Sequence, residues 1–425
     1  MKHLVSASSS NKALYVWWGL AALTFGIRVA AAAVAGGFDQ PEAYEYEYAA
    51  RELVEGRGIT YPHLGLTYHS YLPPLYVWIC AGIYLLTGGL TSAVLLVQML
   101  VAAAHTVLVA ALAERLMGRS AGILSGLLMA VHPGLIVYSS LKLHPLVFDS
   151  FFFTLVLWQF LRLRDDSTLR RSVVTGLIGG LGLLSRSTTA ILLPLGCLWF
   201  LAGSTRQDWP KLFGRCIVVG VCAVVVVAPW VIRNAFIHHQ FVPFVTAAGE
   251  VFWRGNNPHA TGHSYVNSEQ VVLDTLPPEA EAELRSLSTE VEQSRWFRRR
   301  AVAFIAANPG GFAHLTVNKF FHFWWFAPQT GIEYPQSWFW VYQAYYTLVL
   351  VLAVFGLRAV ARGDRNVRLE VILPVIFMLA IAVLQSLYYV EGRHRWGVEP
   401  FLLMLAGIGA SYFMQARANL RPETT

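Results

Sequence analysis

The chain has 425 residues, 56% of them hydrophobic and only 13% charged, with a mean hydropathy of +0.49. A soluble domain carries roughly 25% charged residues, so these figures exclude a soluble enzyme, a disordered chain and a polar solenoid, and point to a polytopic membrane protein. The net charge of +7 in such a chain marks cytoplasmic loops and seats for anionic lipid rather than nucleic acid.

The first apolar run, 13–35, is too long for a signal h-region and reads as a retained span. Further spans are expected at 93–114, 121–139, 146–163, 173–185, 190–203, 216–232, 339–357, 369–387 and 401–413. Two doubtful runs, 73–87 and 312–326, read as partial, re-entrant or interface-lying helices. Short loops carry Arg115 and Arg119, then arginines over 162–171, 206–215 and 358–368; Arg417 and Arg421 lie in the tail. The positive-inside rule puts all of these, with Lys2 and Lys12, in the cytoplasm. The expected architecture is an all-α polytopic bundle of about 10–12 transmembrane or partial helices with extracytoplasmic loops. It divides into an N-terminal transmembrane module over 1–233, an extracytoplasmic loop or small domain over 234–310, and C-terminal helices over 311–425. Cys80, Cys197, Cys216 and Cys222 all fall in apolar runs and read as packing residues.

This topology turns several polar features outward. The acidic first loop, 36–71, contains Asp39, Glu42 and Glu45. Asp39 can cap a helix that has Pro41 in its first turn and that stops at Gly56 or Gly58. Glu42 and Glu45 would then sit one turn apart. A carboxylate there can deprotonate a hydroxyl or amine, or ligate a divalent metal such as Mg or Mn; a solvated acidic face is the plain alternative. Pro73 and Pro74 start the next helix, behind His69. Short outer turns carry Lys142, His144, Asp149 and Arg186, and an ionisable residue between apolar runs, as Arg186 is, is a functional candidate. Arg233, in Pro229-Trp230-Val-Ile-Arg233-Asn234, can hold a phosphate or simply snorkel. Trp253-Arg254-Gly255-Asn256-Asn257 reads as a turn beside a ring that can serve as a binding platform. Arg393 and Arg395, in Glu391-Gly-Arg-His-Arg, form a basic cluster on the side where the positive-inside rule expects none. There is no HExxH, CxxC or GxxxxGK[ST], so zinc proteolysis, haem chemistry and nucleotide hydrolysis have no support.

In this order the segments resemble the GT-C membrane glycosyltransferases, more narrowly the superfamily of protein O-mannosyltransferases and lipid A aminoarabinose transferases. The resemblance rests on Tyr44-Glu45-Tyr46-Glu47-Tyr48-Ala-Ala-Arg51-Glu-Leu53-Val-Glu-Gly56-Arg-Gly58, on Leu72-Pro73-Pro74-Leu75-Tyr76, on Leu183-Leu-Ser-Arg186, and on Pro229-Trp230-Val-Ile-Arg233-Asn234 with Trp253-Arg-Gly255-Asn256-Asn257. It covers about the first 260 residues.

The resemblance implies an inverting glycosyltransferase of the bacterial cytoplasmic membrane, with its active site facing the periplasm. The donor would be a polyprenyl-phosphate sugar, and the acceptor a glycan, a lipid or a protein. It implies a first-loop carboxylate as base, with Glu45 first, then Glu42, then Asp39. Leu72 stands where the family has a lysine, so phosphate contacts fall to Arg233, Arg186, Lys142, Arg393 or Arg395, with His69, Trp253 and Asn256 as further substrate contacts. The rival class is a transporter or flippase of lipid-linked sugars, which predicts internal repeats and mid-membrane charges. A non-enzymatic scaffold is a third reading.

Overall fold

The computed structural model describes residues 7–419, with side chains described over 14–417. Lys2 and Arg421 lie outside the described residues, as does the Lys12 side chain. Helix α1 (Ala7–Val34) leads into a first loop that holds β1 (Glu42–Ala43), α2 (Glu45–Val54), β2 (Tyr61–His63) and β3 (Leu66–Tyr68). Then come α3 (Pro74–Thr87), α4 (Thr91–Met117), α5 (Arg119–Ala130), α6 (Pro133–Ser140), β4 (Lys142–Leu143), α7 (Leu146–Asp165), α8 (Leu169–Ser185), α9 (Thr189–Ala202) and α10 (Trp209–His238). The long polar segment folds as α11 (Ala248–Arg254), α12 (Pro278–Ser286) and α13 (Glu290–Ala307). The chain closes with α14 (Pro309–Trp324), α15 (Gln336–Ala361), α16 (Arg365–Ser386), α17 (Gly392–Trp396) and α18 (Glu399–Asn419).

The apolar runs are helical, and the molecule is an all-α multi-pass bundle apart from two short sheets. Among the described residues six helices are long and apolar enough to cross a membrane: α1, α4, α7, α10, α15 and α16. The expected single span over 121–139 is instead two helices, α5 and α6, bent by 56°. The cause is Pro133, which has no N–H to continue α5 and starts α6 instead. The His132 ring accepts from the Leu135 amide at 3.1 Å to cap α6. Buried Arg28 of α1 donates to the Ala130 carbonyl at 3.2 Å, answering the open end of α5.

Small residues set the helix contacts, as packing in lipid requires. A side chain at Gly356 of α15 would strike the Leu405 carbonyl, and one at Gly409 of α18 the Leu352 carbonyl. Gly176 and Gly180 of α8 meet the backbone of α10 in the same way.

The arginine loops gather on one face. Arg115 at the end of α4 bonds Asp165 at the end of α7 and Glu370 near the start of α16, and Arg215 of α10 donates to the Ser167 carbonyl. The opposite face carries the first loop and the α11–α13 segment. That segment has its own small core of Trp253, Val272, Ala280, Leu284, Trp296, Phe297 and Ala301. Its helix α13 opens on a capping box between Thr289 and Glu292.

The first loop departs from expectation. Asp39 lies in a turn and caps no helix; α2 starts at Glu45, after Tyr44, with no side-chain cap. Glu42 is in β1, which pairs in parallel with β4 so that Glu42 stands opposite Lys142. The Glu42 amide donates to the Leu141 carbonyl at 2.8 Å, so its backbone is committed to strand pairing rather than to a helix. Glu42 and Glu45 are therefore not successive turns of one helical face. Strands β2 and β3 form a hairpin whose turn residues, Leu64 and Gly65, both have positive φ (47° and 83°), as a tight two-residue hairpin demands.

Candidate active site

Between the first loop, the hairpin, the loops before α7 and α9, helix α11 and the turn after α16 lies a cavity of about 740 Å³. Its walls include seven of the chain's 18 tyrosines, three arginines and the carboxylate of Glu45.

One end is cationic. Arg186, just past α8, engages Asp149 of α7 through Nη1 at 3.2 Å, and Ser185 donates to the other Asp149 oxygen at 2.6 Å. Arg393, on α17, pairs with Glu391 at 2.7 Å. Behind Tyr44, buried Lys142 pairs with Glu42 at 2.8 Å, donates to the Tyr44 hydroxyl at 2.7 Å and lies near the rings of Tyr138 and Tyr334. Burial opposes ionisation of Glu42, but hydrogen bonds from Lys142 and Tyr44 outweigh it and hold the carboxyl below its usual range. His144 and His394 report the local potential. Burial first, then Arg393 and Arg186 around His144 and Arg186 and Arg393 around His394, push both imidazoles well below their ordinary range. Such a region favours an anion, and a guanidinium fork already aimed by one carboxylate suits a phosphate.

The other end is aromatic. Tyr61 of β2 stacks on Tyr71 (centroids 5.3 Å apart, 25° between planes), and His63 lies 4.8 Å from the Tyr71 ring. Tyr388 and Tyr389, after α16, complete this wall. The charges here are internally matched. Glu250 of α11, almost fully buried, takes His63 on one oxygen at 2.7 Å and Arg254 on the other. Burial disfavours its charge, but Arg254 and His63 outweigh that and hold the Glu250 carboxyl below the usual range.

Glu45 sits between the two ends. After burial, its charge and that of Asp149 raise the Tyr46 hydroxyl against the pull of Arg186, and its charge and that of Glu250 raise Tyr61 and Tyr71 against the pull of Arg254. Among the described residues it has no hydrogen-bond or ion-pair partner, although it lines the cavity. An unpaired carboxylate of this kind is available to take a proton.

Of the residues the sequence singled out, Glu45, Arg186 and Arg393 line this cavity, and Glu42 and Lys142 brace its wall. The structure does not bring the rest to it. Asp39 is exposed in its turn, outside the lining. His69 contributes its backbone, donating to Glu290 and accepting from Arg233. Arg233 is committed to the His69 carbonyl, Ser70 and Asn234, over the Trp230 ring. Arg395 is packed among Glu399, the Phe323 carbonyl, Tyr342 and the Tyr346 ring. Trp253 belongs to the core of the α11–α13 segment. Asn256 ties α11 to the Leu387 carbonyl and accepts from buried Lys319. Conversely, the sequence assigns no role to Arg254, His63, Glu250, Asp149, His144 or His394, which the structure brings to the cavity or its charge pairs. Arg254 stood inside the Trp-Arg-Gly-Asn-Asn motif, and Asp149 is an ionisable residue at the start of an apolar run; both signals were readable. Among the described residues no cluster of three or more His, Cys, Asp or Glu side chains could hold a metal, and Glu42 and Glu45 do not form part of one.

In its fold, the bundle that carries this cavity is similar to solved GT-C glycosyltransferases. The family profile described as dolichyl-phosphate-mannose-protein mannosyltransferase matches residues 72–232. Among solved structures, the archaeal oligosaccharyltransferase AglB from Archaeoglobus fulgidus, in complex with an inhibitory peptide and a dolichol-phosphate, is 11% identical with a TM-score of 0.57 over 99% of this chain and 53% of its own. A second structure of the Archaeoglobus fulgidus oligosaccharyltransferase, with Zn and sulfate, is 12% identical with a TM-score of 0.57 over 95% and 50%. ArnT from Cupriavidus metallidurans bound to undecaprenyl phosphate is 16% identical with a TM-score of 0.43 over 98% and 82%. The chain spans about half the length of the oligosaccharyltransferases it matches. No curated protein matches it at a significant level.

Proposed function

We propose that this chain is an integral-membrane glycosyltransferase that moves a sugar, with inversion, from a polyprenyl-phosphate carrier to an acceptor on the extracytoplasmic face of a bacterial cytoplasmic membrane. The observation that carries the reading is the unpaired Glu45 carboxylate between the cationic and the aromatic ends of one cavity. Glu45 takes the proton of the acceptor hydroxyl or amine as that atom attacks the anomeric carbon. The bond from that carbon to the phosphate oxygen breaks, and the polyprenyl phosphate leaves with the electron pair. Arg186 and Arg393 face the charge that develops on the phosphate, with Lys142 adding to the potential from behind. Such preaimed cations in a partly dehydrated pocket supply stabilisation that water would have to reorganise to give. The resemblance to dolichyl-phosphate-using proteins supports the choice of donor.

The test is to incubate the purified chain with radiolabelled polyprenyl-phosphate sugars and glycan, lipid and peptide acceptors. Free polyprenyl phosphate with labelled product is expected. Flipping in liposomes without turnover would instead establish a transporter.

A further inference from the structure

The cavity has a second built subsite, and it is not a phosphate seat. Its wall is the hairpin pair Tyr61 and Tyr71, with His63 beside them and Tyr388 across. Tyr61 and Tyr388 are only half-buried, so part of each ring is open to the cavity. Tyr388 is held edge-on by Phe252 at 5.6 Å, and Tyr61 edge-on by Tyr48 at 6.0 Å. These rings are fixed before any ligand arrives. Gly255 adds to this rigidity: a side chain there would strike the Tyr388 carbonyl, so α11 and the Tyr388-Tyr389 turn are pressed together.

The charge on this wall is spent internally, because one buried carboxylate, Glu250, takes both Arg254 and His63. An anion would find here a cation already neutralised. A greasy chain would desolvate Arg254 and His63 without replacing their water. What suits fixed tyrosine faces flanked by charge-paired polar donors is an uncharged ring with an apolar face and a hydroxyl rim. The geometry points to a neutral sugar-ring subsite on Tyr61, Tyr71 and Tyr388, with Arg254 and His63 at its rim, next to Glu45. This rests on the transferase reading only for the reaction; as a binding site it stands on the wall itself. The ring could come from the donor or from the acceptor, and the experiment separates the two.

Saturation-transfer NMR on the full chain in detergent, with methyl α-mannopyranoside, methyl β-glucopyranoside and glucose 1-phosphate, is the measurement. Saturation of the ring protons of a neutral glycoside is expected, falling about five-fold in Tyr61→Leu and surviving in Tyr61→Phe, since the ring does the stacking. Thermal melting identifies a variant that has lost its fold, and Tyr388→Leu then carries the comparison. Preloading with a polyprenyl-phosphate sugar assigns the source: a signal that persists is an acceptor ring, one that vanishes is the donor's. Absence of transfer to both glycosides, an unchanged signal in folded Tyr61→Leu and Tyr388→Leu, or binding of the sugar phosphate alone would overturn the proposal. Glu45→Gln keeps the two readings apart. Turnover that survives it sinks the transferase mechanism, while the glycoside signal stands or falls without it.

Discussion

Arg115 and Arg186 lie on opposite faces of the bundle and use the same side chain differently. Arg115 bonds two carboxylates, Asp165 and Glu370, through all three of its nitrogens at 2.6–2.8 Å. Arg186 engages Asp149 through Nη1 alone, at 3.2 Å, on a cavity wall. The first is a clamp joining α4, α7 and α16, with four of its five donors already taken. The second is aimed but unsaturated. Arg393 stands between the two, paired with Glu391 and bonded to Tyr138 and Tyr389, while Arg233, on the same face, is committed to its own fold as Arg115 is. An arginine's meaning in a membrane protein thus depends less on its depth than on how many of its donors the fold has already taken.

The comparison can be broken by mutation. The largest effect belongs to Glu45→Gln, which removes the base: turnover falls about 10²–10⁴-fold, with the melting temperature unchanged because no partner is lost. Full activity in a folded Glu45→Gln would end the assignment. Next come Arg186→Ala and Arg393→Ala, each expected to lower turnover about 10²–10³-fold, read in steady-state kinetics against donor concentration. Arg115→Ala should do the reverse. It leaves Asp165 and Glu370 without their cation and lowers stability by about 1–3 kcal/mol, seen in detergent melts, while the folded fraction keeps its kinetics. A kinetic defect there without a shift in melting would contradict the division of labour.

A further effect is with pH, and it belongs to the loop face. Burial, then His322, push buried His263 down to about 4. The unfolded chain protonates it near its ordinary value, so between about 6.5 and 4 the unfolded state holds more protons. Stability is therefore lost as pH falls through that window, by at most about 1.4 kcal/mol per unit for this group. His263→Gln should flatten that part of the melting profile, and an unaltered slope would remove His263 as its source.

Much of the bundle was legible because hydrophobic runs of span length leave few alternatives to a helix. The break at His132 was not read, because the run stays apolar through it, although Pro133 marked the place. The first-loop motif also marked Glu45, which lines the cavity. The grouping of Arg254, His63 and Glu250 was not legible, since His63 and Glu250 lie 187 positions apart and meet only through tertiary packing. Arg233, Trp253 and Asn256 stood in the right motifs, but the fold uses them to hold backbone together. Motif residues that set a site's frame and those that reach into it look alike in a sequence.

The parallel pairing of β1 with β4 bears on how the molecule is made. Glu42 finds Lys142 only after five intervening helices have been synthesised, so the strand that precedes Glu45 stays unanchored on the nascent chain until then. Arg254 and Arg393 arrive later still. A ribosome-bound intermediate with its first loop already translocated thus carries Glu45 before the strand pairing that fixes its place in the fold exists.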